Sequence, residues 1–173
     1  MSIFPTKVLL ATDGSKEADL AARTAAELAD KTGSELHMVH VFGITPWYPA
    51  YPEGFGFGGA ELEDPVLEED LQRASERRAR ELLDAEAEKL RSFGVTLAQA
   101  HLVDGGAPQE IVRLAEEIGD GLIVMGSRGR GGIRRALMGS VSDSVVRHAH
   151  CARSWLYVQR WSRQNRDAIY PTV

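Results

Sequence analysis

Two short runs of this chain are apolar at every position, and a turn and a helical pattern follow each of them. They are residues 8–11 (VLLA) and 122–125 (LIVM). A strand that carries apolar side chains on both faces is typical of a parallel sheet covered on both sides. The two runs therefore predict inner strands of a parallel sheet with helices packed on both of its faces.

Strand and helix patterns alternate along the rest of the chain. Further strands are predicted over 35–42 and 95–103. Apolar residues recur at intervals of three and four between capping residues, which predicts four helices: from Ser15 to Gly33, Asp64 to Gly94, Ala107 to Ile118, and Gly139 to His148. Such alternation is typical of right-handed βαβ crossovers, so we expect a single open α/β domain over residues 1–151.

Residues 43–64 interrupt this alternation. They contain three prolines, five aromatic residues and five glycines, a composition incompatible with a helix or an inner strand. A connection of this length is uncommon in a compact domain. We interpret it as an inserted loop that covers its own domain or, alternatively, acts as a ligand lid or a subunit contact.

Composition and charge exclude several classes of protein. The 173 residues carry a formal net charge of −5, which disfavours nonspecific binding to nucleic acid or to an anionic membrane surface. No apolar run approaches the roughly 20 residues of a membrane span, and no signal peptide pattern opens the chain. The single cysteine, Cys151, excludes an intramolecular disulfide. We therefore expect a soluble cytoplasmic protein.

The segment from Gly126 to Ser140 has the features of a phosphate site. It begins where an apolar strand ends and finishes at a predicted helix N-terminus, where free backbone N–H groups favour an anion. Glycines allow the backbone to approach a ligand closely. Four arginines also lie here, at 128, 130, 134 and 135. The segment fits neither a Walker A loop nor the dinucleotide glycine motif. The alternative is a basic connecting loop without a ligand.

The spacing Gly126-x-x-Gly129, nine residues, then Gly139-Ser140 resembles the nucleotide-binding signature of the universal stress proteins. The segment from Val8 to Ser15 and the pair His40-Val41 are also similar to that family. The resemblance implies a five-stranded parallel sheet in the order 3-2-1-4-5 and a homodimer. It also implies ATP bound where strands one and four diverge, which is the topological switch point of such a sheet.

The resemblance further implies a role for each site residue. Asp13 would contact the ribose or help to hold a metal, although it could instead cap the first helix. The predicted adenine-side residues are Ala11, Thr12 and Val41. The predicted phosphate-side residues are Gly126, Arg128, Gly129, Gly139, Ser140, Val141 and Ser142, and Met125, just before the glycine motif, is included in the site.

No arrangement typical of a catalytic centre stands out in the sequence. The carboxylates of the long second helix are expected on a solvated face, and no residue is identified as a general base. We therefore expect a binding protein for ATP, with or without Mg²⁺, that acts in stress response or signalling. The alternatives are a regulatory module for cyclic AMP or AMP, a slow ATPase or autophosphorylating protein using Ser140 or Ser142, and a scaffold with a vestigial site.

The resemblance ends at Cys151. The family usually continues with proline and a run of valine and leucine, whereas residues 152–173 contain four arginines, one aspartate and two of the three tryptophans. Within this tail, Leu156 to Val158 suit a short strand. A single inserted base after the codon for Cys151 would explain the departure, because removing it can restore the usual ending. Resequencing that codon tests this hypothesis.

Overall fold

A computed structural model describes residues 6–43, 65–119, 122–129, 139–149 and 154–158, with only the backbone for 65–68 and 154–158. The elements in chain order are β1 (Lys7–Ala11), α1 (Lys16–Thr32), β2 (Glu35–Phe42), α2 (Pro65–Ser92), β3 (Leu97–Asp104), α3 (Ala107–Ile118), β4 (Leu122–Gly126), α4 (Ser140–His148) and β5 (Ser154–Val158). The predicted loop, apart from Gly43, and the predicted cap Asp64 lie outside the described residues.

The strands form one parallel sheet in the order β3-β2-β1-β4-β5. The predicted parallel α/β architecture and the order 3-2-1-4 are confirmed. On the far side of β4, the backbone of β5 pairs in parallel register from Ser154 opposite Leu122 to Val158 opposite Gly126. The carboxyl ends of β1 and β4 therefore lie side by side near the middle of the sheet.

The third strand differs from its predicted range of 95–103. Gly94 adopts φ +80 after α2, and pairing with β2 begins only when Leu97 comes opposite Leu36. Val95 therefore lies in the short connection between the turn at Gly94 and the strand, although it still packs against the core. The strand continues to Asp104 because that residue pairs with Phe42 at the carboxyl end of β2.

Alternate side chains of the inner strands enter two separate cores. Val8, Leu10 and Val124 pack with α1 and α2, whereas Leu9 and Ile123 pack with α3 and α4. This arrangement explains why β1 and β4 are apolar at successive positions, as helices cover both faces of the sheet. Among the described helices, none is both long and apolar enough to cross a membrane.

Two histidines contact each other on adjacent strands β2 and β3. His37 Nδ1 lies 3.3 Å from His101 Nε2, and the two rings are stacked. Burial lowers the pKa of His101, and the neighbouring His37 lowers it further, while Glu117 opposes both effects. Protonation of His101 is therefore less favourable in the folded chain than in the unfolded chain.

This lowered pKa predicts an acid-sensitive stability. In the unfolded chain His101 has a pKa of 6.5, and well above this pH it is neutral in both the folded and the unfolded chain. As the pH falls, the unfolded chain gains the proton first. We expect the free energy of unfolding, measured by urea titration, to decrease between about pH 7.5 and about pH 5.5. The variant His101→Gln should show a shallower decrease, whereas Gln99→Ala on the same strand should keep the original slope. Identical slopes for all three proteins would contradict this assignment.

Candidate functional site

Three hydrogen bonds stabilise the turn between β1 and α1, and in each of them a backbone N–H donates to a side-chain oxygen. Gly14, at φ +70, donates its N–H to Thr12 Oγ1 over 3.2 Å. Ser15 donates its N–H to Asp13 Oδ1 over 3.0 Å, and Ala18 donates to Ser15 Oγ over 3.2 Å. Ser15 is thus the N-cap of α1, as predicted, and the Asp13 carboxylate braces the turn before it.

The two ends of the connection from β4 to α4 are hydrogen-bonded to each other. Gly139, the N-cap of α4, donates its N–H to the carbonyl oxygen of Ser127 over 2.8 Å. The helix N-terminus therefore lies against the residues that directly follow β4. The predicted Arg130, Arg134 and Arg135 belong to the intervening segment and lie outside the described residues.

The two turns meet at Gly129 and Asp13. A Cβ atom on Gly129 would lie 2.5 Å from Asp13 Oδ2, closer than a real contact permits. The sequence-predicted phosphate loop and the sequence-predicted carboxylate are therefore neighbours at the switch point of the sheet. Parallel sheets commonly bind their ligands at this position.

The predicted apolar residues also come together. Ala11 and Met125 are buried in the core on the α3–α4 side, and Val41 and Val141 are half-buried against the same cluster. These side chains come from the ends of β1, β4 and β2 and from the first turn of α4. The structure thus groups them on one face of the sheet at its carboxyl edge.

The glycine loop, residues 126–129, contains two buried polar groups that have no hydrogen-bond partner in the described part of the chain. Ser127 Oγ belongs to a residue with no solvent exposure, and Arg128 Nε is likewise enclosed. Buried donors that lack a partner are rare in native proteins. Both can donate a hydrogen bond, so they suit a ligand that brings acceptor oxygens. No group of three or more residues suited to a metal ion occurs within the described ranges.

One carboxylate of α2 contradicts the expectation of a fully solvated face. Glu86 is only 4% exposed and accepts hydrogen bonds from Thr12 Oγ1 over 3.4 Å and from Lys89 Nζ over 2.6 Å. Lys89 also donates to Asp19 of α1. The pKa of Lys89 is raised, mainly by the hydrogen bond to Asp19 and next by the one to Glu86. The sequence signal was present, because Glu86 lies four residues before Leu90 on the buried stripe of α2.

His40, like Glu86, contacts Thr12 next to the candidate site and was not among the predicted site residues. Its Nδ1 atom lies 2.8 Å from the carbonyl oxygen of Thr12. Because a carbonyl oxygen only accepts, Nδ1 carries the proton. The end of β2 therefore helps to fix the residue that precedes Asp13.

The hydroxyl of Ser142 points inward rather than away from the protein. It donates to the carbonyl oxygen of Gly126 over 2.9 Å, with the oxygen of Ser127 at 3.3 Å, and the residue is 3% exposed. Ser142 thus ties the first turn of α4 to the end of β4. Ser140, in contrast, is exposed.

Removing this inward hydroxyl is expected to destabilise the fold. Ser142→Ala removes the hydroxyl that donates to the carbonyl oxygen of Gly126, while the oxygen of Ser127 keeps the N–H of Gly139 as its donor, so we expect a loss of about 1–2 kcal/mol in the free energy of unfolding. Chemical denaturation measures the change. The exposed neighbour provides the control, since Ser140→Ala should stay within about 0.5 kcal/mol of the original chain. Equal stabilities of both variants would show that the Ser142 bond contributes nothing.

Comparison with known proteins identifies the family. The family model described as "Universal stress protein family" matches residues 5–152. A universal stress protein of Methanocaldococcus jannaschii is 30% identical over 145 residues, covering 84% of this chain and 78% of that protein. The universal stress protein UspA from Lactobacillus plantarum has the same fold, with a TM-score of 0.71, 21% identity, and coverage of 91% of this chain and 99% of that one.

Two of the solved structures with this fold are nucleotide complexes of universal stress proteins, one with cAMP and one with dAMP. The dAMP complex, from Archaeoglobus fulgidus, superimposes with a TM-score of 0.54 and 25% identity, covering 91% of this chain and 99% of that one. The family match spans most of the sequence, including both turns described above. The chain therefore belongs to the universal stress protein family.

Proposed function

We propose that this chain binds an adenine nucleotide, with ATP as the preferred ligand, at the carboxyl ends of β1 and β4. The observation that carries the proposal is the convergence of the two turns at Gly129 and Asp13. A glycine loop, a carboxylate and a helix N-terminus meet there, and these are the groups that phosphate and ribose require.

The phosphates are assigned to the glycine loop and the start of α4. Gly139 has no side chain to cap α4, so within the described residues the first N–H groups of this helix can donate to an anion. Gly129 presents an exposed backbone without a Cβ. Gly126, Arg128, Ser140, Val141 and Ser142 complete this side, and Mg²⁺ would neutralise part of the triphosphate charge.

The nucleoside is assigned to the opposite part of the site. Asp13 carries a carboxylate that accepts hydrogen bonds from ribose hydroxyls. Apolar contacts to the base come from the grouped side chains of Ala11, Val41 and Met125, whereas Thr12, whose hydroxyl faces Glu86, joins this side through its backbone. An adenine ring suits such a surface because ligand sites combine apolar lining with a few placed polar groups.

We assign binding rather than rapid catalysis to this site. The Ser142 hydroxyl donates to a backbone carbonyl, and no described side chain stands out as a base poised to activate water. Fast phosphoryl transfer needs such a positioned group. The proposal is therefore a nucleotide-binding protein of the stress response, and the dAMP complex of the A. fulgidus relative supports the ligand class.

Calorimetric titration tests the proposal. We expect saturable binding of ATP in the presence of Mg²⁺, and weaker binding of cyclic AMP and AMP, which offer fewer phosphate oxygens to the loop. A clear preference for cyclic AMP would instead make the chain a second-messenger module. Absence of binding by all three nucleotides would refute the proposed function.

A further inference from the structure

Glu86 is a buried charged group that the proposed function does not use. It lies on α2, the helix that covers β2 and β3, and is 4% exposed. Burying an ionised carboxylate is unfavourable unless it is paired and hydrogen-bonded. Lys89, which also donates to Asp19 of α1, offsets part of this cost, but the second contact of the carboxylate, to Thr12 on the β1–α1 turn, is not needed to pack the helix.

The direction of the hydrogen bonds links Glu86 to the nucleotide site. The carboxylate of Glu86 is paired with Lys89 and accepts, so over the long 3.4 Å contact the Thr12 hydroxyl directs its single proton towards Glu86 Oε2. The lone pairs of Thr12 Oγ1 are then left to accept the N–H of Gly14. Without the carboxylate, this hydroxyl is free to rotate and its bond to Gly14 weakens.

Thr12 is also fixed through its backbone. Its N–H donates to the carbonyl oxygen of Val39 over 3.0 Å, and its own carbonyl accepts from His40 Nδ1 over 2.8 Å. Three elements, β2, α2 and the β1–α1 turn, therefore determine where Thr12 lies. The next residue is Asp13, whose carboxylate lies against Gly129.

We infer that Glu86 is a positioning residue for nucleotide binding, acting through the Thr12 hydroxyl on the turn that carries Asp13. This inference rests on the proposed function, since it assigns Glu86 a role at the same site. It makes α2 part of the binding apparatus although the described contacts of Glu86 reach the site only through Thr12.

Four variants test the inference by ATP titration, at a temperature where circular dichroism shows each of them folded. Glu86→Met removes the acceptor at nearly constant volume, and we expect the Kd for ATP to rise about tenfold. Glu86→Gln retains an acceptor oxygen and should stay within about threefold of the original Kd. Thr12→Val should weaken ATP binding about as much as Glu86→Met. The double variant should bind no more weakly than Thr12→Val alone, because both substitutions remove the same hydrogen bond between Thr12 and Glu86.

A matched control separates positioning from loss of stability. Leu90→Ala removes a fully buried side chain of the same helix and should lower the melting temperature while leaving the Kd for ATP unchanged. Glu86→Asp withdraws the carboxylate from Thr12 and should also raise the Kd. It provides the same test if Glu86→Met does not fold.

The outcomes distinguish this inference from the proposed function. If the original chain binds ATP but Glu86→Met, Glu86→Asp or Thr12→Val binds equally well, Glu86 is only a helix anchor and the inference is wrong. Additive losses in the double variant would also overturn it. If the original chain binds no nucleotide, the proposed function itself fails.

Discussion

Replacing Gly129 by valine is expected to reduce the affinity for ATP at least tenfold, about 1.4 kcal/mol, while the fold is retained. The first added carbon would lie 2.5 Å from Asp13 Oδ2, so the carboxylate must move away from its place beside the loop. The remaining methyl groups would occupy space next to the backbone that phosphates approach. Calorimetry measures the affinity, and circular dichroism confirms the fold.

A glycine at the opposite end of the sheet serves as the control. Gly33 ends α1 at φ +67 with no atom within 4 Å of an added Cβ. Gly33→Ala should therefore cost about 1 kcal/mol of stability through backbone strain but leave the ATP affinity unchanged. Unchanged affinity in Gly129→Val would show that the phosphate loop has been assigned to the wrong residues.

Replacing Gly126 is expected to lower the stability of the fold, in contrast to the loss of ATP affinity expected for Gly129→Val. A Cβ there would lie 3.0 Å from the backbone carbon and the Cβ of Glu17, and 3.1 Å from the nitrogen of Ala18. These atoms belong to the first turn of α1 and cannot rotate away. We expect Gly126→Ala to lower the free energy of unfolding by about 1–3 kcal/mol, the usual cost of overpacking.

Urea denaturation of paired variants measures this difference. Gly129→Ala should stay within about 1 kcal/mol of the original stability, because its clash is only with the end of one side chain, that of the half-buried Asp13. The absence of a Cβ would then serve a different purpose at each glycine, close packing against α1 at Gly126 and ligand access at Gly129. Equal stabilities of Gly126→Ala and Gly129→Ala would contradict this division.

The sequence was sufficient to predict the parts of the fold governed by local patterns. The apolar runs of β1 and β4, the Ser15 cap and the glycines that end α1 and α2 all follow from spacing and residue type. Strand limits were harder to predict. β3 begins at Leu97 because its register against β2 is set by the partner strand, which Val95 alone does not reveal.

The candidate site shows the same division. Its glycines were predicted because backbone freedom is visible in the sequence, and Asp13 was predicted because the resemblance to the universal stress proteins implies it. Glu86 was missed because its burial depends on the packing of α2 over the sheet, and a charged residue in a charged helix resembles solvated surface. His40 was not predicted as a site residue because its partner is the carbonyl of Thr12, a contact set by pairing of β1 and β2.

The most direct test of the central claim is to map the amide signals that ATP shifts in the NMR spectrum of the full chain. We predict saturable shifts at Asp13 to Ser15, at Ser127 to Gly129 and at Gly139 to Ser142. Amides at the other end of the sheet, around Gly33 and Glu35, should remain unchanged. Shifts confined to that other end, or no saturable shifts at all, would contradict a nucleotide site at the carboxyl ends of β1 and β4.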